Sequence, residues 1–118
     1  MYDVHNIFAK IIRKEFDTKI LYEDDFVVAI EDIAPIVPVH ILVLTKKSCI
    51  SFNDFISYAT AQEVDETFKS VQKIAAKFDL EKEGYRILMN HGTNANQSVP
   101  HFHIHILGGT KLGRLIGK

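Results

Sequence analysis

Tryptophan is absent from this chain of 118 residues, and cysteine occurs only once. Cys49 alone excludes an internal disulfide, so a reducing compartment and a cytoplasmic location are expected. No stretch approaches the ~18–20 consecutive apolar residues that a membrane-spanning helix requires. Near the start, Lys10, Arg13 and Lys14 interrupt the apolar residues, which is unlike a secretory signal. The net charge is only −1, which gives no electrostatic reason to expect nucleic acid or an anionic membrane as a partner. Internal repeats, low-complexity tracts and linkers are also missing. What remains is the composition of one globular domain, 47% hydrophobic and 25% charged, spanning residues 1–118 with a basic tail over about 110–118.

Histidine is what the chain does have. Half of its six histidines fall in His101-Phe102-His103-Ile104-His105-Ile106-Leu107, at every second position. Alternation of period two marks a strand, and residues i, i+2 and i+4 of a strand share one face. The three imidazoles are therefore expected on one side, with Phe102, Ile104 and Ile106 turned to a core. A surface strand would carry Thr, Lys or Glu there, and crowded imidazoles resist joint protonation. Such a row suits nucleophilic or proton-transfer chemistry near neutral pH. Zinc is the competing reading. Three histidines along one straight strand span roughly 13 Å, too far for one ion with bonds near 2 Å, so His40 or His91 would have to complete the set.

Just upstream, Asn90-His91-Gly92-Thr93-Asn94-Ala95-Asn96-Gln97-Ser98-Val99-Pro100 is a loop of small, amide and hydroxyl residues. Gly92 and the asparagines tolerate positive φ, and loops of this kind present backbone N–H groups to a phosphate. Gln97 and Ser98 add side-chain donors. Pro100 suits the first position of a strand, where its missing N–H matters least. Beside a row of imidazoles, the loop points to phosphorus chemistry.

The remaining pattern predicts an α+β domain. Asn6 is placed to cap a short helix with Ile7, Phe8, Ile11 and Ile12 in one stripe. Strands are expected over Lys19–Tyr22, Phe26–Ile30, Val39–Leu44, Tyr85–His91 and His101–Leu107. Thr60 and Glu63 have the spacing of a capping box. They open one long helix with Val64, Phe68, Val71, Ala75 and Phe78 on a single face, ending near Gly84. Five mostly antiparallel strands, a short N-terminal helix and one long helix form the expected architecture. His40, inside an apolar strand, reads alone as a core histidine with its ring hydrogen-bonded. His5 reads as exposed, and Cys49 as a packing residue.

The segment Gln97-Ser98-Val99-Pro100-His101-Phe102-His103-Ile104-His105-Ile106-Leu107-Gly108-Gly109 resembles the signature of the histidine triad (HIT) superfamily, His-x-His-x-His with apolar x. The resemblance extends over nearly the whole chain. Ile7–Glu15 resembles that family's first helix, Glu31-Asp32-Ile33-Ala34-Pro35 its ribose-contacting turn, and Pro38–Val43 its central strand with a partner histidine. Order and spacing are most similar to the Hint branch, the nucleoside phosphoramidases. The resemblance implies a hydrolase of purine nucleoside phosphoramidates or nucleotidyl-lysine adducts. The alternatives are a dinucleoside polyphosphate hydrolase of the Fhit kind, or a nucleotide-binding regulatory module without catalysis.

On that resemblance His103 is the nucleophile toward the α-phosphorus, its other nitrogen donating to the His101 carbonyl. His105 donates to a phosphoryl oxygen, and Ser98 to the phosphate or leaving atom. Asn90 and Gln97 hold further oxygens, Asp32 accepts from the ribose hydroxyls, and Ile7, Phe8 and Ile33 contact the purine. His40 is expected behind the triad, orienting His101. No cofactor and no metal are expected, since Asn6–Lys10 lacks the cysteine of the zinc site found in some members. A homodimer is implied, with a continuous sheet joined around Tyr85–His91 and the long helix. Three features depart from the family pattern: Pro100 where an aromatic residue is common, Asn96 where glycine is usual, and a tail without tryptophan.

Overall fold

The computed structural model describes residues 1–115. Its centre is a five-stranded antiparallel sheet in the order β1-β2-β3-β5-β4. The strands are β1 (Tyr22–Glu23), β2 (Val27–Glu31), β3 (Val39–Thr45), β4 (Arg86–Leu88) and β5 (His103–Gly108). Helices α1 (Ile7–Ile12), α2 (Phe52–Tyr58) and α3 (Ala61–Lys77) complete an α+β fold. No helix among the described residues is long and apolar enough to cross a membrane.

Both sheet faces are covered, which explains why β2 and β3 are almost continuously apolar. On one face Val27, Ala29, Ile41, Val43, Ile104 and Ile106 pack with Val71, Ile74 and Ala75 of α3. On the other, Val28, Ile30, Leu42 and Leu44 pack with Phe8 and Ile11 of α1. Residue parity in β5 decides the rest. Ile104 and Ile106 enter the α3 side, so His103 and His105 are delivered to the α1 side, opposite Leu44 and Leu42.

The helix starts follow their caps. The Asn6 side chain accepts from the Ala9 N–H at 2.9 Å, and Thr60 accepts from the Glu63 N–H while Glu63 accepts from the Thr60 N–H. The expected end of the long helix near Gly84 is corrected. Phe78 caps it, and Asp79 leaves at φ 58°. Helix α2 was not expected, although Ser51 and Asp54 carry its signal: the Asp54 carboxylate accepts from the Ser51 N–H at 2.7 Å. Strands β1 and β4 are shorter than expected. β4 leaves the sheet after Leu88 because the chain turns toward Gly92, whose φ is 80°.

Candidate active site

A cleft of about 400 Å³ opens where α1 lies over the ends of β2 and β5, a volume in the range of small-ligand sites. Ile7, Phe8 and Ile11 form one wall, Ile30 to Ile33 the opposite rim, and Ser98, Val99, His103 and His105 the end. Among the described residues no lysine or arginine lines it, so an anion held there depends on N–H dipoles. A larger hollow of about 500 Å³ between Asp79–Gly84 and Gly109–Lys111 holds no imidazole, and the chemistry favours the cleft.

Hydrogen bonds fix which nitrogen of each imidazole carries the proton. A carbonyl oxygen only accepts, so a ring nitrogen bonded to it is an N–H. His103 Nδ1 lies 2.7 Å from the His101 carbonyl and donates to it, leaving Nε2 with its lone pair. His40 Nδ1 accepts from the Ile36 N–H at 3.3 Å, so His40 Nε2 is the protonated nitrogen and donates to His105 Nδ1 at 2.9 Å. His105 Nε2 is then an N–H, buried and without a partner among the described residues. The rings of His103 and His105 are 5.1 Å apart, and Phe8 stands edge-on to His103 at 4.9 Å. A ring with an unprotonated nitrogen and a ring with an unsatisfied N–H are thus neighbours.

Burial keeps the rings of His101, His103 and His105 neutral. It pushes His101 down to about 4 and lowers His103. His105 is pushed to about 4 by burial and then by its neighbours His103 and His40. Neutrality at pH 7 leaves the His103 lone pair available without a general base.

Several expectations require correction. His101 is not in the cleft and not in the strand. It precedes β5, is 1% exposed, and donates from Nε2 to the Thr45 carbonyl at 2.7 Å. The reason is a tight turn, with the His101 N–H on the Val99 carbonyl, that ends the alternation one residue pair early. His40 does not touch that ring; it meets His105 instead, because it sits two positions before Leu42, the cross-strand partner of His105. Gln97 is engaged in the loop itself. Its Oε1 accepts from the Gly92 N–H, and its Nε2 donates to the carbonyls of Ile50 and Val99. Asn90 lies beyond the end of β4, half-buried and outside the cleft lining, since strand alternation no longer applies there.

Asp32, Ser98, Ile7, Phe8 and Ile33 all line the cleft. Asp32 Oδ1 accepts from the Ala34 N–H at 2.8 Å, and Oδ2 lies 3.3 Å from His40 Nε2. Asp32, His40 and His105 bring possible metal ligands within 4.8 Å of one another. A metal on His40 Nε2 would require the proton to move to Nδ1, facing the Ile36 N–H. The cluster is therefore read as a hydrogen-bonded relay. Tyr2, Ile36 and Thr45 complete the network through tertiary contacts that no local sequence pattern announces.

This sheet, with an imidazole pair delivered by β5 to a cleft under α1, defines a histidine triad domain. The HIT domain family matches residues 13–112, and the chain belongs to that family. Over 110 residues it is 38% identical to the purine nucleoside phosphoramidase of Escherichia coli K12, covering 93% of this chain and 92% of that one. It is 47% identical over 116 residues to an uncharacterized HIT-like protein of Rickettsia prowazekii, covering 98% and 97%. Among solved structures, a HIT family hydrolase from Clostridium thermocellum superposes with a TM-score of 0.86 at 38% identity, covering 95% of this chain and 96% of that chain.

Proposed function

We propose that the protein hydrolyses the phosphorus–nitrogen bond of purine nucleoside phosphoramidates or nucleotidyl-lysine adducts through a nucleotidyl-His103 intermediate. The observation that carries this reading is the His103 Nδ1–His101 carbonyl hydrogen bond, which leaves Nε2 unprotonated on a ring that lines the cleft. Similarity to the Escherichia coli purine nucleoside phosphoramidase supports the choice of substrate class.

In this mechanism His103 Nε2 forms a bond to the α-phosphorus as the phosphorus–nitrogen bond breaks. The departing amine takes a proton relayed from solvent through Ser98. His105 Nε2–H donates to a phosphoryl oxygen, aimed at charge that grows in the transition state. Water then attacks phosphorus, the phosphorus–Nε2 bond breaks, and the surplus proton of water returns to solvent. One difficult displacement becomes two easier ones. Asp32 receives the ribose hydroxyls, and Ile7, Phe8 and Ile33 flank the base.

A homodimer belongs to the same proposal. β4 is an open edge with Ile87 exposed and Tyr85 exposed just before it, and pairing with a second copy would cover it. A cytoplasmic setting is also part of it, with Cys49 free and buried.

The test is rapid-quench trapping of nucleotide-linked histidine, with adenosine phosphoramidate, a nucleotidyl-lysine and diadenosine polyphosphates as substrates. His103→Ala should abolish turnover while AMP affinity stays within roughly tenfold, about 1.4 kcal/mol. Preferential turnover of diadenosine polyphosphates would move the reading to the Fhit kind. AMP binding with no turnover of any substrate would leave a binding module.

A further inference from the structure

Tyr2 lies outside the cleft lining, in a separate hollow with Ser48, Ile50 and Asp54. Its hydroxyl lies 2.6 Å from His101 Nδ1, and the two rings meet edge-on at 5.7 Å. His101 Nε2 must be an N–H because it bonds the Thr45 carbonyl at 2.7 Å. Nδ1 therefore holds a lone pair, and the Tyr2 hydroxyl is the donor. Both nitrogens of a 1% exposed ring are satisfied in one orientation only. A flipped ring would set Cε1 against the Thr45 oxygen and Cδ2 against the Tyr2 hydroxyl, losing both hydrogen bonds.

We infer that Tyr2 is a positioning residue for the nucleophile, acting through the His101 ring to hold the carbonyl on which His103 rests. The inference builds on the proposed role of His103. Position 101 lies outside the β5 ladder, which begins at His103, and its N–H is turned back onto the Val99 carbonyl. The peptide unit that carries the His101 carbonyl is held at its far end by the Phe102 N–H on the Cys49 carbonyl at 2.8 Å, and at its near end by the clamped His101 side chain. Packing alone does not account for Tyr2, because Phe8 already stands edge-on to His101 at 6.3 Å. The segment that carries Tyr2 is itself held. The Asn6 side chain donates to the Asp3 carbonyl at 2.8 Å, and Arg13 Nη1 to the Val4 carbonyl at 2.8 Å.

Chemistry fixes what this clamp should affect. As His103 attacks phosphorus its ring becomes cationic, and the hydrogen bond from Nδ1 to the carbonyl becomes charge-assisted. A displaced carbonyl then costs more in the transition state than in the bound substrate. The effect belongs in kcat, not KM. Tyr2 does not line the cleft, so AMP affinity should not change.

The experiment compares Tyr2→Phe, which keeps the ring, with Tyr2→Leu, which does not. Adenosine phosphoramidate kinetics, AMP titration and 15N spectra of the histidine rings are recorded on each full-length protein. Tyr2→Phe should lower kcat about five- to tenfold, the effect of one lost hydrogen bond, with KM and AMP affinity unchanged. The His101 Nδ1 resonance should move, and His103 Nδ1 with it. Wild-type kcat in Tyr2→Phe, or a loss confined to Tyr2→Leu, would overturn the inference in favour of simple packing. If the wild type turns over no phosphoramidate, the nucleophile reading fails on its own. The ring spectra then decide the clamp, and unmoved His101 and His103 signals in Tyr2→Phe would overturn it.

Discussion

His40 Nε2 lies 2.9 Å from His105 Nδ1, while the opposite nitrogen of His40 accepts from the Ile36 N–H. The direction of donation runs from the Ile36 N–H to His40 and on to His105, whose ring lines the cleft. His105 therefore presents a proton at Nε2, and His40 ensures that it does. Replacing His40 by Ala leaves His105 Nδ1 buried without a donor and removes the preference for that tautomer. A buried group stranded in this way costs about 1–3 kcal/mol, so kcat should fall roughly five- to a hundredfold. His40→Gln retains an N–H donor of similar reach and should recover part of the loss. Steady-state kinetics with 15N assignment of the His105 tautomer would check both, and an unchanged tautomer in His40→Ala would discard the relay.

Gln97 makes three hydrogen bonds that bind the 92–99 loop to itself and to Ile50. Gln97→Glu keeps the acceptor for the Gly92 N–H but turns two donor contacts into carboxylate facing carbonyl. The cost should be about 2–3 kcal/mol, with faster amide exchange at Gly92. Urea unfolding and hydrogen exchange measure it. Wild-type stability with selective loss of AMP binding would instead return Gln97 to the phosphate.

These two residues mark where a sequence stops being legible. The alternation that made His103 and His105 share a face is local, and parity in β5 preserved it. The caps at Asn6 and Thr60 are equally local, as is the positive φ of Gly92 and Asn96 in the polar loop. Which histidine meets His40 depends instead on the β3–β5 register, which no single strand encodes. Gln97 looks like a ligand residue in one dimension and becomes a staple because Ile50, 47 residues away, brings its carbonyl there. His101 fits the strand pattern perfectly, yet the turn onto Val99 takes it out of the strand.

The open edge at β4 gives a third prediction. Ile87 points to the α3 side of the sheet, opposite Ile106, and is 41% exposed. An apolar residue on an unpaired edge invites strand addition by a second copy. Ile87→Lys should convert a dimer to a monomer in sedimentation velocity at micromolar concentration. A wild-type monomer under the same conditions would reject the proposed homodimer.

The fourth prediction concerns acid. In an unfolded chain each histidine titrates near pH 6.5. In the folded protein burial pushes His101 and His105 down to about 4 and lowers His103 as well. Below pH ~6.5 the unfolded state therefore binds protons that the native state refuses, and stability falls with pH. The contribution is fully present above pH ~6.5 and is lost as pH drops toward the folded values. Each such group adds a slope of up to about 1.4 kcal/mol per pH unit inside that window. Urea denaturation at pH 7, 6 and 5 should show the decline, and His101→Gln, which cannot titrate, should flatten it. The same burial keeps the His103 lone pair available, so the acid limb of kcat/KM should lie below pH ~6.5. A limb above that value would mean that His103 is easier to protonate in the fold than in water, which its place beneath Phe8 contradicts.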